Sequence, residues 1–374
     1  MKPPTTRATR SRRASYPVGI ALVIASAAAL AGTAGPASAA DEATAGTETL
    51  ASTDPDPFAP RPLADEQEIS IAIAGPAEPF IPLLLAASRG EFAKENLIVN
   101  VEIAAATDAA LLMAQGSLDG TATSLNAGFL NLMSEGVPIR AVFPLDREPD
   151  DLGAGFYASH DVVGDDGFQP ADLEGQRILV PSGIATPRIL TLWTGLSEAG
   201  VDMTSIQFER FDHAQIAQAL INGSAQVGLV VKPFHTALMA DPCCLQLPYV
   251  TWQQAYYFFG PTIIDDRREA GEAFVRALAR TTRDYLGEDY REGDLGVEIA
   301  ALLEIPIDEF RSASPTDFEI PFVLDLEAAD RIQQFFLEVP DTLTYTEVLP
   351  SDVVFDLSFV EQFGAESWTE EPTP

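Results

Sequence analysis

The sequence predicts a two-lobed α/β protein, each lobe a mixed sheet flanked by helices, with two crossing segments as its hinge. Short apolar runs of strand length alternate with helix-length segments over 69–143, and the pattern returns over 178–231. The turn that closes the second helix, Gly116-Ser117-Leu118-Asp119, returns as Gly223-Ser224-Ala225-Gln226 at the matching place in the second half. Two segments that fit neither repeat, 144–158 and 248–264, stand between and after the halves. An order of βα units, a crossing, βα units, a second crossing and then helices implies one discontinuous lobe and one inserted lobe.

The elements follow in order. The alternation at 69–74 reads as a strand, and Gly75-Pro76-Ala77-Glu78 as the loop after it. A helix runs from Pro79 to Arg89, with proline at its start and Gly90 as its stop. Residues 98–103 form a strand, 108–115 a helix and 121–123 a short third strand. Ser124 or Asn126 caps the helix that reaches Ser134. Gly136-Val137-Pro138 then turns into a strand over 139–143.

After a Pro- and Asp-rich stretch, 156–159 begins the first crossing strand. The second lobe continues with a strand at 178–180 and a helix with Thr186 as N-cap and Pro187 as first residue. A strand at 206–208, a helix at 214–221 and a strand at 227–231 complete its core pattern. Residues 247–250 and the aromatic run Tyr256-Tyr257-Phe258-Phe259 are the returning segments, and helices follow at 269–286, 296–303 and 328–336. The expected division is therefore 66–148 with 262–363 for lobe one and 149–261, crossings included, for lobe two.

The ends differ in composition. Lys2, Arg7, Arg10, Arg12 and Arg13 precede an apolar run over 18–31, and Ala37-Ser38-Ala39 has the small-residue pattern of a signal-peptide cleavage site. Residues 1–39 are thus expected to be an export signal. The run is short and lacks a charged stop-transfer cluster, so no membrane insertion is expected after its removal. No Cys follows it as a lipid-attachment point, and the exported chain is expected to be extracytoplasmic. Residues 40–65 read as a disordered acidic linker and 364–374 as a flexible tail.

The formal net charge is −34, and residues 1–39 hold five basic and no acidic side chains, leaving −39 on the remainder. Such a field repels nucleic acid and anionic membranes, and it suits a solvated acidic surface. The two cysteines, Cys243 and Cys244, are adjacent, and three readings stay open: sheltered thiols, a vicinal disulfide, or a metal or redox site. The last is the weakest, because His160, His213 and His235 do not add a ligand set at regular spacing, and no metal is expected. Asp146, Glu148, Asp150 and Asp151 lack the spacing and glycine of a calcium loop and read as a solvated linker.

Several stretches carry a family resemblance. Pro79 to Phe92, Glu95-Asn96-Leu97 with the strand after it, and Ala109 to Asp119 resemble the opening of the nitrate/sulfonate/taurine/thiamine-precursor family of solute-binding proteins of ABC importers. Asp172-Leu173-Glu174-Gly175-Gln176-Arg177 resembles the family's opening of lobe two, and 343–360 its closing segment. The resemblance covers about 66–363, with Gln226 standing where the family commonly has Asp. It implies a type II periplasmic-binding-protein fold that holds a small solute between its lobes. It also implies ABC permease and ATPase subunits as partners, no cofactor, no catalytic residue and a monomeric chain.

In such sheets ligands collect beyond the carboxyl ends of the strands, where helix N-termini offer unpaired N–H groups that suit anions. Ser124, Asn126, Ser182 and Thr186 are candidate hydrogen-bond donors there, or plain helix caps. Phe80 would wall the cleft or pack in the core, and Glu78 would bind an amine or face water. Lys232 ends the strand over 227–231, and Lys94 is the only other lysine after residue 39. An ammonium there favours a carboxylate or sulfonate, whereas family members often place an acid before the following proline; the bland alternative is a surface lysine paired with an acid. The expected function is capture of a small anionic or zwitterionic organic solute, sulfonate-, nitrate- or carboxylate-like. Alternatives are a same-fold lyase or pyrimidine-precursor synthase, or an extracellular sensor.

Overall fold

The computed structural model describes residues 56–146, 155–164, 167–181, 187–230, 234–240, 243–248, 253, 255–313, 315–318 and 322–364. The first half builds β1 (Gln67–Ile73), α1 (Ile81–Ser88), β2 (Leu97–Ile103), α2 (Ala106–Ala114), β3 (Gly120–Ser124), α3 (Ala127–Ser134) and β4 (Arg140–Pro144). The inserted part builds β5 (Gly155–Ser159), α4 (His160–Val163), β6 (Arg177–Val180), α5 (Leu190–Glu198), β7 (Gln207–Arg210), α6 (His213–Ile221), β8 (Val227–Val230), α7 (His235–Ala240) and β9 (Cys244–Gln246). The chain returns as β10 (Ala255–Phe259), followed by α8 (Arg268–Tyr285), α9 (Gly293–Leu302), α10 (Ile307–Ser312), α11 (Leu326–Glu338) and α12 (Ser351–Val354).

Two five-stranded mixed sheets result, in the orders β2-β1-β3-β10-β4 and β7-β6-β8-β5-β9. Four strands of each run in one direction, and the fourth in each order runs antiparallel to both its neighbours. That strand is β10 in the first sheet, with which the chain returns to it, and β5 in the second, with which the chain enters it. The repeat noticed in the sequence is structural at this junction. Asp119 O accepts from Gly260 N at 2.9 Å just beyond β10, and Gln226 O accepts from Ser159 N at 2.8 Å at the end of β5.

The two positions then diverge in their side chains. The Asp119 carboxylate is held by the Ser70 backbone N–H at 2.9 Å, by Thr262 Oγ1 at 2.7 Å and by Arg267. Burial pushes this carboxyl up, and the bonds from Ser70, Thr262 and Arg267 outweigh it, holding the group below its usual range. Gln226 instead accepts from the Ser159 hydroxyl. Gly120, next to Asp119, is required for a different reason: a Cβ there would sit 2.6 Å from Phe258 O and 2.8 Å from Ile71 Cδ1.

Helix α1 is buried along nearly its whole length, which suits its near-uniform apolar sequence, and it lies against α8. Helix α8 carries a buried ionic network. Arg276 reaches Glu95 at 2.8 Å, and Arg280 reaches both Glu91 and Glu95 at 2.8 Å. A second, smaller apolar cluster underlies α6, with Leu179, Ile216, Leu220 and Val230.

Two expectations are corrected. The linker expected over 40–65 is not structureless at its end: Arg280 Nη1 donates to Phe58 O at 2.9 Å, the Phe58 ring lies 5.2 Å from Phe363, and Leu63 N donates to Glu95 O. These groups anchor 56–65 because an aromatic ring and two backbone groups find buried partners. The aromatic run, placed with the crossings of lobe two, is an interior strand of the first sheet, buried on both faces. Residues 1–55 and 365–374, which hold the expected signal, most of the linker and the tail, lie outside the described residues.

Candidate functional site

The carboxyl ends of β1, β3 and β4 form one edge of the first sheet, and β10 begins at the same edge, since Ala255 pairs with Ser124 and Tyr256 with Pro144. Past β1 the loop turns at Gly75, whose φ of +150° lies in the region that favours glycine. A 3₁₀ turn over Glu78–Phe80 then leads into α1. Both oxygens of the Glu78 carboxylate are engaged, Oε1 by the Arg291 guanidinium and Oε2 by Thr316 Oγ1 at 3.2 Å. That guanidinium also lies over the Phe310 ring, 4.5 Å from its centre. Glu78 thus ties the loop to the α9–α10 helices. Phe80 is buried in the main core.

Past β3, Asn126 caps α3. Its Oδ1 accepts from Gly128 N at 2.9 Å and Phe129 N at 3.4 Å, while Nδ2 donates to the Ser124 carbonyl at 3.2 Å. The cap reading therefore accounts for the Asn126 side chain. Ser124 is half-buried at the last position of β3.

Past β4 comes a feature that sequence reasoning missed. Tyr257 is 1% exposed, and its hydroxyl has no hydrogen-bond partner of good geometry among the described residues. Burial, and then the nearby Asp146 carboxylate, push this phenol up from its ordinary value against a smaller opposing effect of the Leu83 backbone, so it stays protonated. Its ring packs edge-on to Phe143, 5.9 Å away, and Phe143, Pro82, Asp146 and Phe322 line a cavity of about 10 Å³. A buried hydroxyl without a hydrogen bond of good geometry carries a desolvation cost that a bound polar group would relieve. A strand buried on both faces and carrying two tyrosines was the available signal, because each hydroxyl must find an acceptor. Tyr256 does, donating to Gln253 O at 3.0 Å.

On the second sheet, β6 ends at Val180 and α5 begins at Leu190, after a 3₁₀ turn over Pro187–Ile189. The intervening 182–186, with Ser182 and Thr186, and 231–233, with Lys232, lie outside the described residues. Arg188, in the turn that opens α5, is a further cation on this edge that the sequence reading passed over.

Helices α5 and α11 also meet directly. Trp193 of α5 donates its Nε1–H to Glu338 Oε2 at 2.7 Å, and its ring lies 6.1 Å from Phe335 of α11. Beside this contact a cavity of about 370 Å³ opens between α5 and α11, lined by Ser197, Glu198, Glu327, Asp330 and Arg331 among others. Asp330 is held above the usual carboxylate range, first by burial and then by Glu327.

Two mixed sheets of matching order, each with helices springing from its carboxyl edge, define the two-lobed fold of periplasmic binding proteins. The periplasmic aliphatic sulphonate binding protein SsuA of Escherichia coli superposes with a TM-score of 0.55 at 16% identity, over 75% of this chain and 96% of that one. The SsuA of Xanthomonas axonopodis pv. citri bound to MOPS gives 0.54 at 14%, over 78% and 99%. The periplasmic nitrate-binding protein NrtA of Synechocystis PCC 6803 gives 0.52 at 14%, over 80% and 90%. No curated protein matches in sequence. A family profile described as NMT1/THI5 like matches residues 78–288. The chain belongs to that NMT1/THI5-like family.

Proposed function

We propose that this chain is the extracytoplasmic solute-binding subunit of an ABC importer, closing its two lobes on a small anionic or zwitterionic solute. The observation that carries the reading is the pairing of two like sheets whose carboxyl edges bear helix N-termini, within a family whose fold-mates include sulfonate- and nitrate-binding proteins. In this reading lobe one contributes Ser124, the α3 N-terminus and the buried Tyr257 hydroxyl. Lobe two contributes Ser182, Thr186, Arg188 and Lys232. Glu78 acts by holding its loop in place, and Phe80 by backing it. Closure is a hinge at the two crossings, driven by the solute's preference for the closed state. The permease and ATPase are partners of the closed form.

A thermal-shift screen of purified protein against alkanesulfonates, nitrate, carboxylates, amino acids and pyrimidines tests the reading. A ligand at about 100 times its Kd adds about 2.7 kcal/mol to folding stability, a readily visible shift. One anionic class is expected to raise Tm, and Lys232→Ala is expected to weaken that ligand at least tenfold. Undiminished affinity in the variant removes Lys232 from the site. Conversion of a candidate solute into a product by the pure protein would overturn the non-enzymatic reading.

A further inference from the structure

We propose that Cys243 and Cys244 form a reactive dithiol site that takes a small external disulfide, such as oxidised glutathione, and closes to a vicinal disulfide. Consecutive residues of an extended strand point their side chains to opposite faces, which keeps neighbouring sulfurs apart. Here Cys243 lies in a turn, Cys244 is the first residue of β9, and their Sγ atoms approach to 2.9 Å. That separation is inside ordinary contact of two sulfurs and outside the roughly 2.05 Å of a formed bond. The two thiols therefore already face each other, as a vicinal bridge requires.

The surroundings allow the reaction. Both cysteines are half-buried at the rim of the smaller apolar cluster, so a thiol reagent can reach them. Strand β9 is three residues long and lies at the end of the second sheet's order, with β5 beside it. A short edge strand yields more easily than an interior one to the eight-membered ring that adjacent cysteines form. Neighbouring Cα atoms lie about 3.8 Å apart, below the usual range for disulfides, so the bridge is strained and readily reduced again.

The chemistry balances without a further reactant. One cysteine, as thiolate, attacks a sulfur of the external disulfide; that bond breaks, and the departing thiolate takes up a proton. The second cysteine gives up its proton and attacks the mixed disulfide, displacing the other half as thiol. Two protein thiols are oxidised, one external disulfide is reduced to two thiols, and two electrons pass outward. This inference stands on the thiol geometry alone and is independent of the solute.

The chain has two cysteines, so the mass of the intact protein reports the outcome directly. Reduced, folded protein is exposed to oxidised glutathione, quenched with acid and weighed, beside Cys243→Ser and Cys244→Ser. The wild type is expected to lose two hydrogens and carry no glutathione, and each variant to keep one glutathione. A wild type that retains glutathione, links into dimers, or does not react overturns the proposal, as does a native chain that reacts only after denaturation.

Discussion

Trp193 and Glu338, 145 residues apart, are joined by a 2.7 Å hydrogen bond that links helix α5 to helix α11. The indole is buried while its N–H meets a carboxylate, so the ring can pack on Phe335 without an unsatisfied donor. Trp193→Phe keeps the ring and removes the donor. It is expected to cost about 1 to 2 kcal/mol in denaturant unfolding, below the full value of a charge-assisted bond because Glu338 is partly exposed. Glu338→Gln, which retains an acceptor, is expected to cost less, and a Trp193→Phe variant as stable as the wild type would mean that the hydrogen bond contributes nothing.

Arg280 is the keystone of the buried ionic network, touching Glu91, Glu95 and the Phe58 carbonyl. Its removal leaves two buried carboxylates with one fewer cation. Arg280→Ala is expected to destabilise the fold by about 3 to 5 kcal/mol and to free the 56–65 segment for proteolysis. Limited proteolysis with a denaturant melt reads both effects.

Gly120→Ala places a methyl group against backbone, where no side chain can swing away. The strand must shift from β10, and the expected loss is about 2 kcal/mol or more. Gly136→Ala serves as a contrast: it has open space around it but a φ of +85°, so only backbone strain, about 1 kcal/mol, is expected.

Acid stability follows from Asp119 and Asp356. Burial raises each carboxyl, and hydrogen-bonded partners more than reverse it, Ser70, Thr262 and Arg267 for the first and Arg268 and Ser358 for the second. Each is therefore lowered in the folded chain relative to an ordinary value near 3.8. As pH falls the unfolded chain takes protons first. Their contribution is complete above about pH 4 and is lost as pH drops through the lower folded values. Asp119→Asn is expected to be less stable at neutral pH and to lose less on acidification, measured as Tm from pH 7 down to 3.

Local chemistry made most of the element order legible. Asn126 caps its helix as its side chain predicts, Gly90 and Gly136 end helices with positive φ, and the turn at 116–119 marks a lobe that 223–226 repeats. The site was less legible. Glu78 looked like a free anion in a loop, yet its partner Arg291 lies 213 residues away, and nothing local announces it. Tyr257 looked like part of a crossing segment and proved to be an interior strand residue whose buried hydroxyl lacks a well-aligned partner among the described residues.

By itself, then, the sequence determined the two-lobed α/β plan, its helix caps and turns and its acidic surface, because these depend on residues a few positions apart. Tertiary structure alone decided which sheet receives the aromatic strand, how Glu78 and Asp119 spend their charges, and that Trp193 meets Glu338. Those outcomes depend on where distant segments are carried in space. A buried donor or charge is settled by whatever partner the completed fold brings within hydrogen-bonding reach.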